Sequence, residues 1–145
     1  MSKKIMIATH SVLAEGFKKA AHFFTGQGED IKIVCAYDDP DLDPNPEIDA
    51  FFNSLEPSDT VVVFTDLLCG SINQIFAAKL KTYYFHLITD VNLSLIIGVS
   101  TLSEEELNAE TIRENIELSK NNMKYMNDVL LEQSSLDSGD DFLDQ

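Results

Sequence analysis

Apolar residues along the chain fall into short runs that alternate with stretches of helical spacing. Residues 4–9, with Ile5-Met6-Ile7-Ala8-Thr9, predict a first strand. Leu13, Phe17, Ala20 or Ala21 and Phe24 then recur at helical spacing, predicting a helix over 13–25 that Gly26 can end. Ile31 to Tyr37 predicts a second strand, and an acidic, proline-rich loop follows from Asp38 to Pro46. Ile48, Phe51, Phe52 and Leu55 give an apolar face to a short helix over 47–55. The run at 60–65 is β-branched and unbroken, as expected of a strand buried on both faces of a parallel sheet. A third helix starts near Ser71 and carries Ile72, Ile75, Phe76 and Leu80. Phe85–Thr89 is a fourth strand, ending in Asp90-Val91-Asn92, with a helix from Leu93. Ser103 to Glu106 fits a capping box. An amphipathic helix is expected over 109–132, with Ile112, Ile116, Met123, Met126 and Leu130 inward.

Strands alternating with helices predict an α/β domain, doubly wound, with a mainly parallel sheet and helices on both faces. The 145 residues suffice for one domain and one sizeable core. We expect that domain over 1–133 and a flexible acidic tail, rich in serine and aspartate, over 134–145. No apolar run approaches the ~20 residues of a membrane helix, and the amino-terminal residues lack the h-region of a signal peptide. The expected location is cytoplasmic, without membrane insertion. The net charge of −15 argues against nucleic acid and suits a partner with a basic surface. Cys35 reads as a buried strand residue and Cys69 as filler in the loop after the third strand, both reduced.

The chemistry gathers at strand ends. His10 closes the first strand and Asp66 follows the third. In open parallel sheets, working residues lie beyond the carboxyl ends of strands, where the winding reverses. With the strand order 2-1-3-4, which local sequence does not prove, His10 and Asp66 face each other at that point. A carboxylate on one imidazole nitrogen sets the tautomer, frees the other nitrogen to attack, and stabilises the positive ring that forms. Gly70 and Ser71 open the third helix, whose free N–H groups and dipole favour a phosphate. Together they suggest a histidine that carries a phosphoryl group. His22 and His86 lack such a loop and read as structural.

Other readings are weaker. Asp39, Asp41 and Asp43 match the first positions of a calcium loop, but Pro44 and Ala50 stand where glycine and glutamate are required. No phosphate-loop or dinucleotide glycine motif occurs, and Thr9-His10-Ser11 replaces the acidic cluster of a receiver domain. No metal or organic cofactor is expected.

Three segments carry a family resemblance: Ile5 to Ser11 with Leu13-Ala14-Glu15-Gly16, Val63 to Gln74, and Ile88 to Leu93. Together, over about residues 3–130, they resemble the mannose-type (mannose/fructose/sorbose) enzyme IIA component of the bacterial phosphoenolpyruvate-dependent sugar phosphotransferase system. The resemblance implies that His10 accepts phosphate from HPr and passes it to a separate IIB subunit. The membrane IIC and IID subunits would lie further along. It implies that Asp66 orients His10, that Gly70 and Ser71 line the phosphate site, that Asn92 lies nearby, and that the protein is a homodimer with sheet order 2-1-3-4. Ser11 stands where the family usually has glycine, and this serine is similar to the related phosphocarrier subunit of dihydroxyacetone kinases, a further alternative for the function. Cys69-Gly70-Ser71-Ile72 also departs from the usual second loop. A regulatory binding module on the same fold is the alternative from another class, and the transported sugar is not specified.

Overall fold

The computed structural model describes residues 2–144, with side chains through residue 136. Its strands are β1 (Lys3–His10), β2 (Lys32–Ala36), β3 (Thr60–Thr65) and β4 (His86–Ile88). They form one parallel sheet in the order β2-β1-β3-β4. Helices α1 (Leu13–Thr25), α2 (Asn45–Asn53) and α3 (Ser71–Lys79) are followed by α4 (Leu93–Ser100), α5 (Ala109–Lys120) and α6 (Met126–Asp144). The expected α/β architecture and strand order are those observed.

Successive side chains of a strand point to opposite faces, and β1 fills two cores this way. Ile5 and Ile7 join Val62 and Phe64 under α1, α4 and α5, packing with Ala14, Ala21, Ile96, Val99 and Ile112. Met6 and Ala8 join Val61 and Val63 on the other face, under Ile48 and Phe52 of α2 and Ile72 and Phe76 of α3. Phe52 is the hub of that side, in ring contact with Phe51, Phe76, Tyr83 and Phe85. Two covered faces explain why β1 and β3 read as continuous apolar runs.

This layering also makes the crevice. The chain leaves β1 toward the α1 face and leaves β3 toward the α3 face. The adjacent carboxyl ends of β1 and β3 therefore diverge, as expected at a topological switch point.

Several expectations need correction. The single helix over 109–132 is two helices, with α5 ending at a cap on Asn121 and α6 beginning at Met126. Asn121 and Asn122 fall at the break, and asparagine side chains compete with the helical backbone for hydrogen bonds. Met123, Met126 and Leu130, expected inward, are exposed, Met123 at 85%. Ile112 is buried and Ile116 packs partly against the core, as expected. On α1 the buried stripe is Ala14 and Ala21 with Phe17 beside it, whereas Leu13 and Phe24 are exposed. Leu80 is exposed at the end of α3, Cys35 is only half-buried, and Cys69 is exposed. The Ser103–Glu106 capping box forms, but it closes a turn. The helix that follows has its own box, between Asn108 and Thr111. The expected tail over 134–145 lies largely outside the described side chains, and the backbone of α6 is helical through Asp144.

Candidate active site

His10 is the last residue of β1, and Asp66 directly follows β3. The parallel register pairs Ala8 with Thr65, so Asp66 leaves β3 beside the end of β1, where its side chain reaches His10. Asp66 Oδ2 accepts two hydrogen bonds from His10, one from the main-chain N–H and one from ring Nδ1, each at 2.8 Å. The Asp66 side chain is 11% exposed and that of His10 is 38% exposed. Burial by itself would raise the Asp66 pKa, but the bonds from His10 outweigh it and hold the carboxyl below its ordinary value. The carboxylate is thus the form present at neutral pH. It requires a proton on Nδ1, so that in the neutral ring the lone pair lies on Nε2, the nitrogen nearer Ser71.

Local sequence builds each support. Thr9 turns inward at the end of β1, and its hydroxyl accepts from Ala14 N–H at 2.7 Å, anchoring the first turn of α1. Ser11 N–H donates to Ala36 O of β2, and Ser11 sits at φ 53°, in the left-handed region that favours glycine. That geometry explains the glycine common at this position in the family that the motifs resemble. Behind Asp66, the main chain is held by Asp90 N–H and the Thr89 hydroxyl, both donating to Asp66 O.

The 66–70 loop turns tightly, with Gly70 N–H donating to Leu67 O at 2.9 Å. Gly70 has an ordinary extended backbone, φ −73° and ψ 153°, so its role lies in space. A Cβ there would stand 3.0 Å from His10 Cε1 and 3.0 Å from Leu67 O. Glycine lets the loop close onto the imidazole. Ser71, the first residue of α3, places its Oγ 3.5 Å from His10 Nε2. The unpaired N–H groups that begin any helix lie at the same end.

The fold thus brings four of the expected site residues together: His10, Asp66, Gly70 and Ser71. Ser11 adjoins them through the backbone. Asn92 has a different observed role. Its Oδ1 accepts from Leu95 N–H as the cap of α4, and its Nδ2 donates to Ser119 O of α5, so both ends of the amide are engaged away from His10. Two residues at the site escaped the sequence reading. Tyr37, just past β2, stacks obliquely on His10 with ring centroids 5.5 Å apart, and its hydroxyl lies 3.0 Å from Ser71 Oγ. Asn73 donates from Nδ2 to Leu68 O and receives the Thr65 hydroxyl, bracing the loop from within α3. Asn73 lies within the Val63–Gln74 segment that carries the family resemblance, whereas Tyr37 is marked only by its place at the end of the second strand.

Among the described residues, no group of three or more His, Cys, Asp or Glu side chains is close enough to hold a metal ion. Asp39 and Asp43 cap their own turns by accepting from Asp41 and Asn45 N–H. No helix is long and apolar enough to cross a membrane among those residues.

The chain is thus a parallel α/β protein with a carboxylate-oriented imidazole at the switch point of its sheet, opposite a glycine–serine helix start. Comparison with known proteins narrows this class. Residues 4–117 match the family described as the PTS system fructose IIA component, EIIA-man, and the chain belongs to that family. Its fold is similar to a candidate phosphoenolpyruvate-dependent sugar PTS permease from Klebsiella pneumoniae. That structure is 30% identical with a TM-score of 0.81, covering 90% of this chain and 95% of the other. A PTS IIA protein associated with a fucose utilization operon of Streptococcus pneumoniae is 22% identical, with a TM-score of 0.72 over 90% and 97% of the chains. The mannose/sorbose-specific IIA subunit of Enterococcus faecalis is 17% identical, with a TM-score of 0.74 over 86% and 94%. No curated protein matches the chain. The family resemblance read from the three motifs is therefore correct, and it assigns the chain generally to a sugar phosphotransferase system.

Proposed function

We propose that the protein carries a phosphoryl group on His10 Nε2, accepting it from phospho-HPr and passing it to a IIB subunit for sugar uptake through IIC and IID. The observation that carries this reading is the double hold of Asp66 Oδ2 on His10, which directs Nε2 outward beside Ser71. The Nε2 lone pair forms the new N–P bond while the donor's bond to phosphorus breaks and its electron pair leaves with the donor. The Nδ1 proton stays in place, and the Asp66 carboxylate balances the positive ring. Ser71 and the first N–H groups of α3 receive the phosphoryl oxygens. The second transfer reverses these steps toward IIB.

The reading places the protein in the cytoplasm, working without metal or organic cofactor and without nucleic acid. It also includes a homodimer. Leu118, Met123, Tyr125, Met126, Leu130 and Leu131 are exposed along α5, α6 and their connection, an apolar surface that a second copy can cover. The acidic residues from 134 onward form a separate tail in this reading.

The test is incubation with phosphoenolpyruvate, enzyme I and HPr, followed by intact-mass measurement. One phosphate is expected, acid-labile, lost in His10→Ala and kept in His22→Ala and His86→Ala. No gain in mass, or phosphate on another histidine, overturns the proposal; the former outcome favours a regulatory binding module.

A further inference from the structure

We infer that Tyr37 is a third phosphate-binding residue, whose phenol hydroxyl donates to an oxygen of the phosphoryl group on His10 Nε2. The inference rests on the carrier reading of His10.

Tyr37 reaches the site from the far side of the crevice. Asp66, Gly70 and Ser71 come from β3 and the start of α3, whereas Tyr37 follows β2. Register pairs His10 with Ala36, so the residue after Ala36 emerges beside His10. Tyr37 has φ 63°, a conformation disfavoured for an aromatic residue, costing on the order of 1–2 kcal/mol. The departure turns the chain sharply as it leaves β2. The ring then lies against the imidazole, and the hydroxyl meets Ser71 Oγ at 3.0 Å. Ser71 Oγ is in turn 3.5 Å from Nε2. A group attached to Nε2 would therefore meet two hydroxyls arriving from opposite walls.

The chemistry of these donors suits a carrier. Both hydroxyls are neutral, and among the described contacts no lysine or arginine touches His10, Asp66 or Ser71. Neutral donors stabilise phosphoryl oxygens less than a cation does, so the group can be handed on. Half-exposed Tyr37 also shields one face of the imidazole from water, slowing loss of phosphate by hydrolysis.

The test uses the full chain and phosphoramidate, a small donor that needs no protein partner. The P–N bond of phosphoramidate breaks, the Nε2–P bond forms, and ammonia leaves with the electron pair, taking a proton from water. Tyr37→Phe keeps the ring and removes only the hydroxyl. We expect phosphorylation about tenfold slower, the loss of one hydrogen bond to a charged group, with faster hydrolysis of the product. The 31P resonance of the phosphohistidine should move, while 15N spectra show the Nδ1–H tautomer unchanged. In the wild-type chain, the Tyr37 ring resonances nearest the hydroxyl should shift on phosphorylation, a reading that needs no variant. Wild-type rates and an unmoved 31P resonance in Tyr37→Phe overturn the inference, as does a changed tautomer, which would mean that Tyr37 acts only through the imidazole's orientation. Failure of HPr to phosphorylate a chain that phosphoramidate does phosphorylate refutes the carrier reading alone.

Discussion

One oxygen of Asp66 holds His10 at two points. Oδ2 accepts from both the main-chain N–H and the ring Nδ1 of His10 at 2.8 Å, while Oδ1 is buried with no hydrogen-bond partner among the described residues. The carboxylate thereby fixes strand end and side chain together, and the imidazole has one orientation relative to its own backbone. Both partners are donors, and the carboxylate meets them with an oxygen that carries negative charge.

Asp66→Asn should slow transfer from phospho-HPr by about a hundredfold or more. The amide removes the charge that balances the positive ring, and its NH2 can face Nδ1 and favour the other tautomer. The fold should persist, since the amide has the size of the carboxylate and its oxygen can still accept from the His10 main-chain N–H. Transfer kinetics and circular dichroism on the same sample decide this, and wild-type rates would reduce Asp66 to a turn residue.

Gly70→Ala should damage the site with little effect on the backbone. Its φ and ψ suit any residue, yet the added Cβ would press on His10 Cε1 and Leu67 O. The carbonyl cannot move without opening the loop, so the imidazole must shift. Transfer should fall about tenfold or more, because misplacement of a reacting group by an ångström is costly. The thermal midpoint should stay near that of the wild type. An unchanged rate would show that the ring has room to spare.

Ser11→Gly should stabilise the protein. At φ 53° a side chain is strained, and relief of a left-handed residue is worth about 1 kcal/mol, partly offset by the entropy that glycine adds to the unfolded chain. Ser11→Val, whose branched side chain tolerates this region poorly, should destabilise by more. Urea unfolding of the pair measures both effects.

Stability should fall on mild acidification because of His86. Burial, and after it the charge of Arg113, lower its pKa below the ordinary 6.5. The unfolded chain therefore binds the proton first. This contribution is fully present above pH 6.5 and is lost as pH falls through the lower folded-state value. Asp66, also lowered, acts in the same direction but in a more acidic window, below its ordinary 3.8. Urea midpoints from about pH 8 to pH 5 should decline, and His86→Gln should flatten that decline. A parallel decline in the variant would remove His86 as a source.

The sequence by itself determined the strands, the layers and the places of the candidate pair, His10 and Asp66. β1 and β3 carry runs whose alternate residues supply two opposed cores, a pattern that only a sheet covered on both faces satisfies. His10 and Asp66 each follow such a run directly, so their places at strand ends were legible before any pairing was known. What lay across the crevice was not. Tyr37 reaches His10 only because β2 pairs with β1 in a register that sets Ala36 beside His10, and register belongs to tertiary structure. The family resemblance puts Asn92 near the site, but α5 packs against α4 and Asn92 Nδ2 donates to Ser119 O. The apolar spacing that continued past Lys120 was misleading for a related reason. Periodicity identifies an apolar face without saying what covers it, and the pattern at Met123, Met126 and Leu130 faces outward after the break at Asn121. Local pattern determines which residues seek burial, while the packing of helices on the sheet decides which of them obtain it.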